Sequence, residues 1–180
     1  MIKLKITKLQ KEEAYKHSKE RMRYEYDRLG LSDEKRQSMI QIGTIGQLVF
    51  KGFLESKNVN FNFEFQAGNY DNMDFMLNND IIEIKTSGYD DSFIALNLLY
   101  SKDQFQAGLR KGFKYCVQIF INGYSRTLKM LDMDKCDTAV IAGYIEFEKI
   151  ADFPNNKKFF GDDFKIPLSN LKDIELLVKK

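Results

Sequence analysis

The chain has 180 residues, 43% hydrophobic and 30% charged, with a formal net charge of +2. That size and balance suit one domain spanning 1–180 with a real core, and the small net charge does not by itself define a nucleic-acid partner. The longest apolar runs, 94–100 and 138–142, fall far short of the roughly 20 residues of a membrane span, so no membrane partner is expected. The start, Met1-Ile-Lys-Leu-Lys-Ile-Thr-Lys8, alternates charge with apolar residues and lacks the continuous apolar stretch of a secretory signal, which points to a cytoplasmic location. The single histidine, His17, lies in a charged helical stretch, which speaks against histidine triads, HExxH zinc chemistry and histidine–metal clusters. The two cysteines, Cys116 and Cys136, have no C-x-x-C spacing and are expected to be buried, reduced thiols.

In chain order, Ile2 to Ile6 reads as a first strand. Residues 11–29 are rich in Glu, Lys, Arg, Met and Tyr, and Gly30 ends them as a helix stop. Ser32-Asp-Glu-Lys-Arg offers the start of a second helix, whose apolar positions Met39, Ile42, Ile45, Val49, Phe50, Phe53 and Leu54 recur near helical spacing, with Gly43 or Gly46 as points of interruption. From Val59 to Gln66 the period drops to two, as in a half-exposed strand. Met73–Leu77 and Ile81–Thr86 are two more strands joined at Asn78-Asn79-Asp80, residues that tolerate positive φ, so an antiparallel meander is expected. Residues 92–109 return to helical character, with Gly112 as the stop. Tyr115–Ile121 is an apolar run that suits a strand covered on both faces, and Thr138–Phe147 is a last strand. The segment 148–180, with Pro154, Pro167 and several Asn, Asp and Gly, reads as loops closed by a short terminal element.

Function concentrates in Met73-Asp-Phe-Met-Leu-Asn-Asn-Asp-Ile-Ile-Glu-Ile-Lys-Thr86. The chain holds four pairs of an acid two places before a lysine, close to the chance number for its composition, but only Glu83 and Lys85 fall in a probable strand. Side chains at i and i+2 of a strand share a face, so Glu83 and Lys85 project together while Ile82 and Ile84 serve the core. Pairing across the turn brings Asp74 toward the same edge. Two carboxylates and a main-chain carbonyl, such as that of Ile84, are hard oxygen ligands of the kind Mg²⁺ accepts, and a lysine beside them can steady a nucleophile or a phosphate. The same spacing also suits a cross-strand salt bridge of Lys85 with Asp74 or Glu83 on an exposed sheet face.

With these residues in this order, the sequence resembles the PD-(D/E)xK nuclease superfamily, over about residues 36–147. The correspondence runs through the helix Ile42-Gly-Thr-Ile-Gly-Gln-Leu-Val-Phe50, the strand at Phe61 to Gln66, Asp74, Glu83-Ile-Lys85, the helix 93–109 and the strand Tyr115–Ile121. The resemblance implies an α+β, restriction-endonuclease-like α/β/α sandwich, here with an N-terminal helical extension (11–29) and a loop-rich C-terminal segment. It further implies Mg²⁺ or Mn²⁺ held by Asp74, Glu83 and the Ile84 carbonyl, catalysis assisted by Lys85, and a polar residue near the scissile phosphate, for which Gln104 is the candidate. Met73 replaces the frequent proline before the Asp. Gln47 stands where many members carry a helical Glu, which removes a negative charge from the metal site; Glu55 is an alternative acid or an ordinary surface residue. Thr86 and Ser87 are placed to reach a phosphate from the strand end, or are plain strand-exit residues.

Lys102, Arg110 and Lys111 on the following helix, and Arg21 and Arg23 on the first, are candidate contacts to nucleic acid. Through residue 40, 11 Lys/Arg stand against 7 Asp/Glu, a local net of +4. Tyr15, Tyr24 and Tyr26 lie among Lys16, Lys19, Arg21, Arg23 and Arg28, and either stack on bases or pack on the domain. The resemblance also allows a homodimer. The expected function is a metal-dependent deoxyribonuclease of the kind used by phages or mobile elements in recombination, repair or defence. The alternatives are a catalytically inactive member of the same fold that binds nucleic acid or a protein partner, to which Gln47 points, and an unrelated α+β protein with a chance triad.

Overall fold

A computed structural model of the chain describes residues 1–23, 30–63, 75–90, 97–156 and 163–179. The chain opens with strand β1 (Ile2–Lys5) and helix α1 (Lys8–Arg21). This helix begins three residues earlier than the composition indicates, because Thr7 and Gln10 form a reciprocal cap. The Gln10 amide donates to Thr7 Oγ1 (3.2 Å) and the Thr7 amide donates to Gln10 Oε1 (2.9 Å). The helix ends at Arg21, with Met22 as its C-cap, short of the end expected at Leu29; residues 24–29 lie outside the described residues, as does Asp74 of the expected metal site.

Helix α2 (Asp33–Ser56) passes through Gly43 and Gly46 without interruption. Gly46 serves a packing purpose instead: a Cβ there would collide with the Thr86 side chain, so this glycine lets the helix lie directly on the sheet. Helices α1 and α2 run side by side and antiparallel. Gln10 Nε2 donates to the Leu48 carbonyl (3.1 Å), His17 Nδ1 meets Thr44 Oγ1 (3.1 Å), and Gln37 Nε2 donates to Ser18 Oγ (3.2 Å).

Strands β2 (Phe75–Leu77) and β3 (Asp80–Gly88) form the expected hairpin, with Phe75 opposite Ile82 and Leu77 opposite Asp80. Asn78 (φ 50°) and Asn79 (φ 68°) supply the two left-handed residues of its turn. Of the strand expected at 59–66, residues 59–63 show a single antiparallel bridge, Asn62 to Met76, and the remainder lies outside the described residues. The meander's neighbour order therefore holds where it is seen, while its first member is not a regular strand up to residue 63.

A correction falls on the helix expected over 92–109. Residues 97–101 are strand β4 (Asn97–Ser101), and only then does α3 (Lys102–Lys111) begin, ending at Gly112 with φ 77°. Alanine and leucines favour a helix locally, but Leu98 and Tyr100 alternate with exposed Leu99 and are buried against a partner found far along the chain, β10 (Asp163–Pro167). Tertiary pairing overrides propensity here.

Strand β5 (Phe113–Ile121) lies parallel to β3, with Glu83 beside Cys116 and Lys85 beside Gln118. A small hairpin, β6 (Tyr124–Ser125) and β7 (Met130–Leu131), leads to β8 (Thr138–Glu146), antiparallel to β5. The five-stranded sheet has the order β1-β8-β5-β3-β2 and is mixed. The C-terminal segment is more ordered than loops: a 3₁₀ turn at Phe147–Asp152, β9 (Asn155–Asn156), β10 and helix α4 (Ile174–Val178), with β4, β10 and β9 forming a second, antiparallel sheet.

Two cores follow from this layering. On one face of the main sheet, Ile45, Phe50 and Leu54 of α2 pack on Phe75, Ile82, Ile84, Val117 and Ile119, with Ile174 and Leu177 of α4. On the other, Leu98, Tyr100, Phe105, Phe147, Phe164 and Ile166 enclose Cys116 and Ile145. The protein is thus a mixed α+β fold with helices on both faces of the sheet. Both cysteines are buried and neither is in a disulfide, as expected, and burial pushes the Cys136 thiol up to about 11. Among the described residues no helix is long and apolar enough to cross a membrane.

Candidate functional site

Strand β3 divides its residues between the two faces. Ile82 and Ile84 are buried against α2, whereas Glu83 and Lys85 are half-buried and face β4 and α3. The expectation that the two charges share one face is met.

Helix α3 then delivers Gln104 to this face. Ser101 stands at its N-cap and accepts from the Gln104 amide through Oγ (3.3 Å), which fixes Gln104 in the first turn. From there Gln104 Oε1 accepts a hydrogen bond of 2.7 Å from Lys85 Nζ. The two residues are 19 apart in sequence, and the contact is of charge-assisted length.

The sequence reading missed the third participant. Tyr100, the penultimate residue of β4, is 1% exposed; its hydroxyl donates to Glu83 Oε1 at 3.4 Å, and Lys85 Nζ stands 4.5 Å from its ring centroid. One local signal existed. Ser101-Lys-Asp-Gln104 is a Ser-x-x-Gln helix-start pattern, and reading it so would have released residues 97–101 from the helix.

The other candidates are distributed differently. Ile84 lies between Glu83 and Lys85 with its side chain in the α2 core. Gln47 is half-buried on α2, next to the Gly46 that backs onto Thr86. Glu55 is exposed and pairs with Lys51 at 3.8 Å, as a surface residue does. Ser87 Oγ accepts from the buried Gln118 Nε2 at 3.4 Å. Lys102, Arg110 and Lys111 are exposed on α3, the helix that carries Gln104, with Lys111 Nζ 6.0 Å from the Phe113 ring centroid. Arg21 ends α1 and Arg23 lies in the turn after it, in the layer of α1 and α2 on the opposite face of the sheet from Glu83 and Lys85. Tyr15 on that helix is 46% exposed with Lys19 Nζ 4.5 Å from its ring centroid, so it does not pack into the core; Tyr24, Tyr26 and Arg28 are outside the described residues.

Glu83 provides one hard oxygen donor of the kind a Mg²⁺ or Mn²⁺ site uses, and the Gln104 amide oxygen lies on the same face. Among the described residues no three His, Cys, Asp or Glu side chains gather as a metal cluster. Comparisons with protein-family profiles, with curated proteins and with solved structures found no match.

Proposed function

We propose that this chain is a metal-dependent deoxyribonuclease built on a restriction-endonuclease-like α/β/α sandwich. The observation that carries the reading is the convergence of Glu83, Lys85 and Gln104 on one face of the sheet, with Lys85 hydrogen-bonded to Gln104 at 2.7 Å. The strand pattern around them supports it: an antiparallel hairpin, a connection carrying a helix, and a strand parallel to the one with Glu83 and Lys85.

In this reading Asp74 and Glu83 hold Mg²⁺ or Mn²⁺. When bound, the metal supplies Lewis-acid charge for the phosphate and lowers the pKa of an attached water. Lys85 places its ammonium beside the attacking water and the developing phosphate charge, and Gln104 accepts a hydrogen bond from it. Lys102, Arg110 and Lys111 along α3 bind backbone phosphates, which makes DNA affinity fall with salt. Purified protein is expected to cleave DNA with Mg²⁺ or Mn²⁺, with Asp74→Ala and Lys85→Ala each abolishing cleavage. Full activity in both variants would overturn the mechanism.

Gln47 in α2 motivates a second reading, a catalytically inactive member of this fold that binds nucleic acid or a protein partner. Titration calorimetry with Mn²⁺ separates the two: DNA binding without metal binding selects the second.

A further inference from the structure

We propose that Tyr100 is the positioning residue that holds Glu83 and Lys85 in fixed relative placement; its role in cleavage rests on the nuclease reading, but the placement itself does not. Three observations carry the inference. Tyr100 is a rigid platform: it is 1% exposed, its ring meets Phe147 edge-on (5.4 Å, 89°), and its strand pairs with β10 at Phe164. It touches both charged groups, the hydroxyl at Glu83 Oε1 (3.4 Å) and the ring face under Lys85 Nζ (4.5 Å). It also immediately precedes Ser101, which caps α3 and so sets Gln104, the other partner of Lys85.

The chemistry explains why such a residue is needed. A lysine carries a flexible four-carbon stem, and one hydrogen bond to an exposed amide leaves that stem many rotamers. An aromatic face below the ammonium restricts it without neutralising it, because the ring quadrupole attracts the cation but accepts no proton. The hydroxyl acts on the neighbouring carboxylate, so one buried side chain orients an acid and a base of opposite charge two residues apart on β3.

The test uses the full chain with isotope-labelled lysine and NMR of the Lys85 ε-methylene, which a ring face shifts upfield, alongside DNA cleavage kinetics. In the wild type and in Tyr100→Phe the Lys85 signal is expected upfield of exposed lysines, and in Tyr100→Leu it moves to the exposed-lysine position. Gln104→Ala removes the hydrogen bond to Lys85 Nζ but leaves the ring beneath it, and there too the signal is expected to stay upfield. Cleavage is expected to keep its KM while kcat falls about fivefold in Tyr100→Phe, through loss of one hydrogen bond, and about a hundredfold in Tyr100→Leu, through misplacement of the reacting groups. An exposed-lysine signal for Lys85 in the wild type or in Gln104→Ala overturns the proposal, as does unchanged kcat in both tyrosine variants of an active enzyme. A wild type that does not cleave DNA refutes the nuclease reading instead, and the NMR of wild type and Gln104→Ala still decides the placement.

Discussion

The two faces of the five-stranded sheet use the same strand in opposite ways. Toward α2, β3 presents Ile82 and Ile84 to the apolar core and Thr86 so close to the helix that Gly46 has no room for a Cβ. Toward β4 and α3 it presents Glu83 and Lys85, which meet a tyrosine hydroxyl, an aromatic face and an amide. The first face holds the fold together through burial, where every methylene counts. The second also rests on an aromatic core, but leaves a half-buried polar rim above it. The lesson is one of division: the site gains rigidity from β3 without the core depending on the site's charges.

Substitutions can break that division, and the largest effect should come from the apolar face. Ile82→Ala is expected to destabilise by about 3 kcal/mol, measured by urea unfolding, since it opens a cavity at a fully buried position. Gly46→Ala should cost about 2 kcal/mol, as the new methyl meets Thr86 and the gain in helix propensity offsets only part of the overpacking. Gly108→Ala is the corresponding test on the second face. Its methyl would meet the Phe147 and Phe113 rings, and Gly108 lies one helical turn beyond Gln104, so about 1 kcal/mol of lost stability should come with a larger fractional loss of cleavage. Lys85→Ala should reverse the balance, changing stability by less than about 1 kcal/mol while cleavage disappears. A Lys85→Ala protein as unstable as Ile82→Ala would mean that the charged rim carries the fold.

The smallest expected effect is a pH dependence on the α2 side. Burial, with Arg21 adding to it, holds the His17 imidazole below its ordinary 6.5, against the opposing pull of Glu20 and Glu13. Below pH 6.5 the unfolded chain therefore binds more protons than the folded one. Stability is full above that pH, declines as pH falls through it, and levels off below the folded value. His17→Gln should flatten the decline in thermal unfolding between about pH 7 and 5, while an unaltered slope would assign it to other groups.

Much of the fold was legible because its signals are local. The period-two alternation of β3, the Asn78-Asn79 turn, the helical spacing of α2 and the apolar run of β5 each act within a few residues, and each element formed where expected. Strand β4 was not legible, since Leu98, Leu99 and Tyr100 suit either structure until β10 supplies its hydrogen bonds from more than 60 residues away. Strand β10 was missed for the same reason, as its Lys165 and Pro167 look like loop residues in isolation. At the site, Glu83 and Lys85 could be paired from spacing alone, and Gln104 by the resemblance. Tyr100 could not, because its segment suits a helix as well as a strand until β10 pairs with it.

By itself, the sequence determined which side chains of β3 share a face and that two asparagines turn the hairpin. Those outcomes depend on backbone geometry and composition, which are properties of short segments. Only the tertiary structure decided that Lys85 rests between Gln104 and Tyr100, and that Arg21 and Arg23 lie on the far side of the sheet from it. Those outcomes depend on how a helix and two strands distant in sequence pack on β3, and that is set by the summed burial of both cores rather than by any segment's own preference.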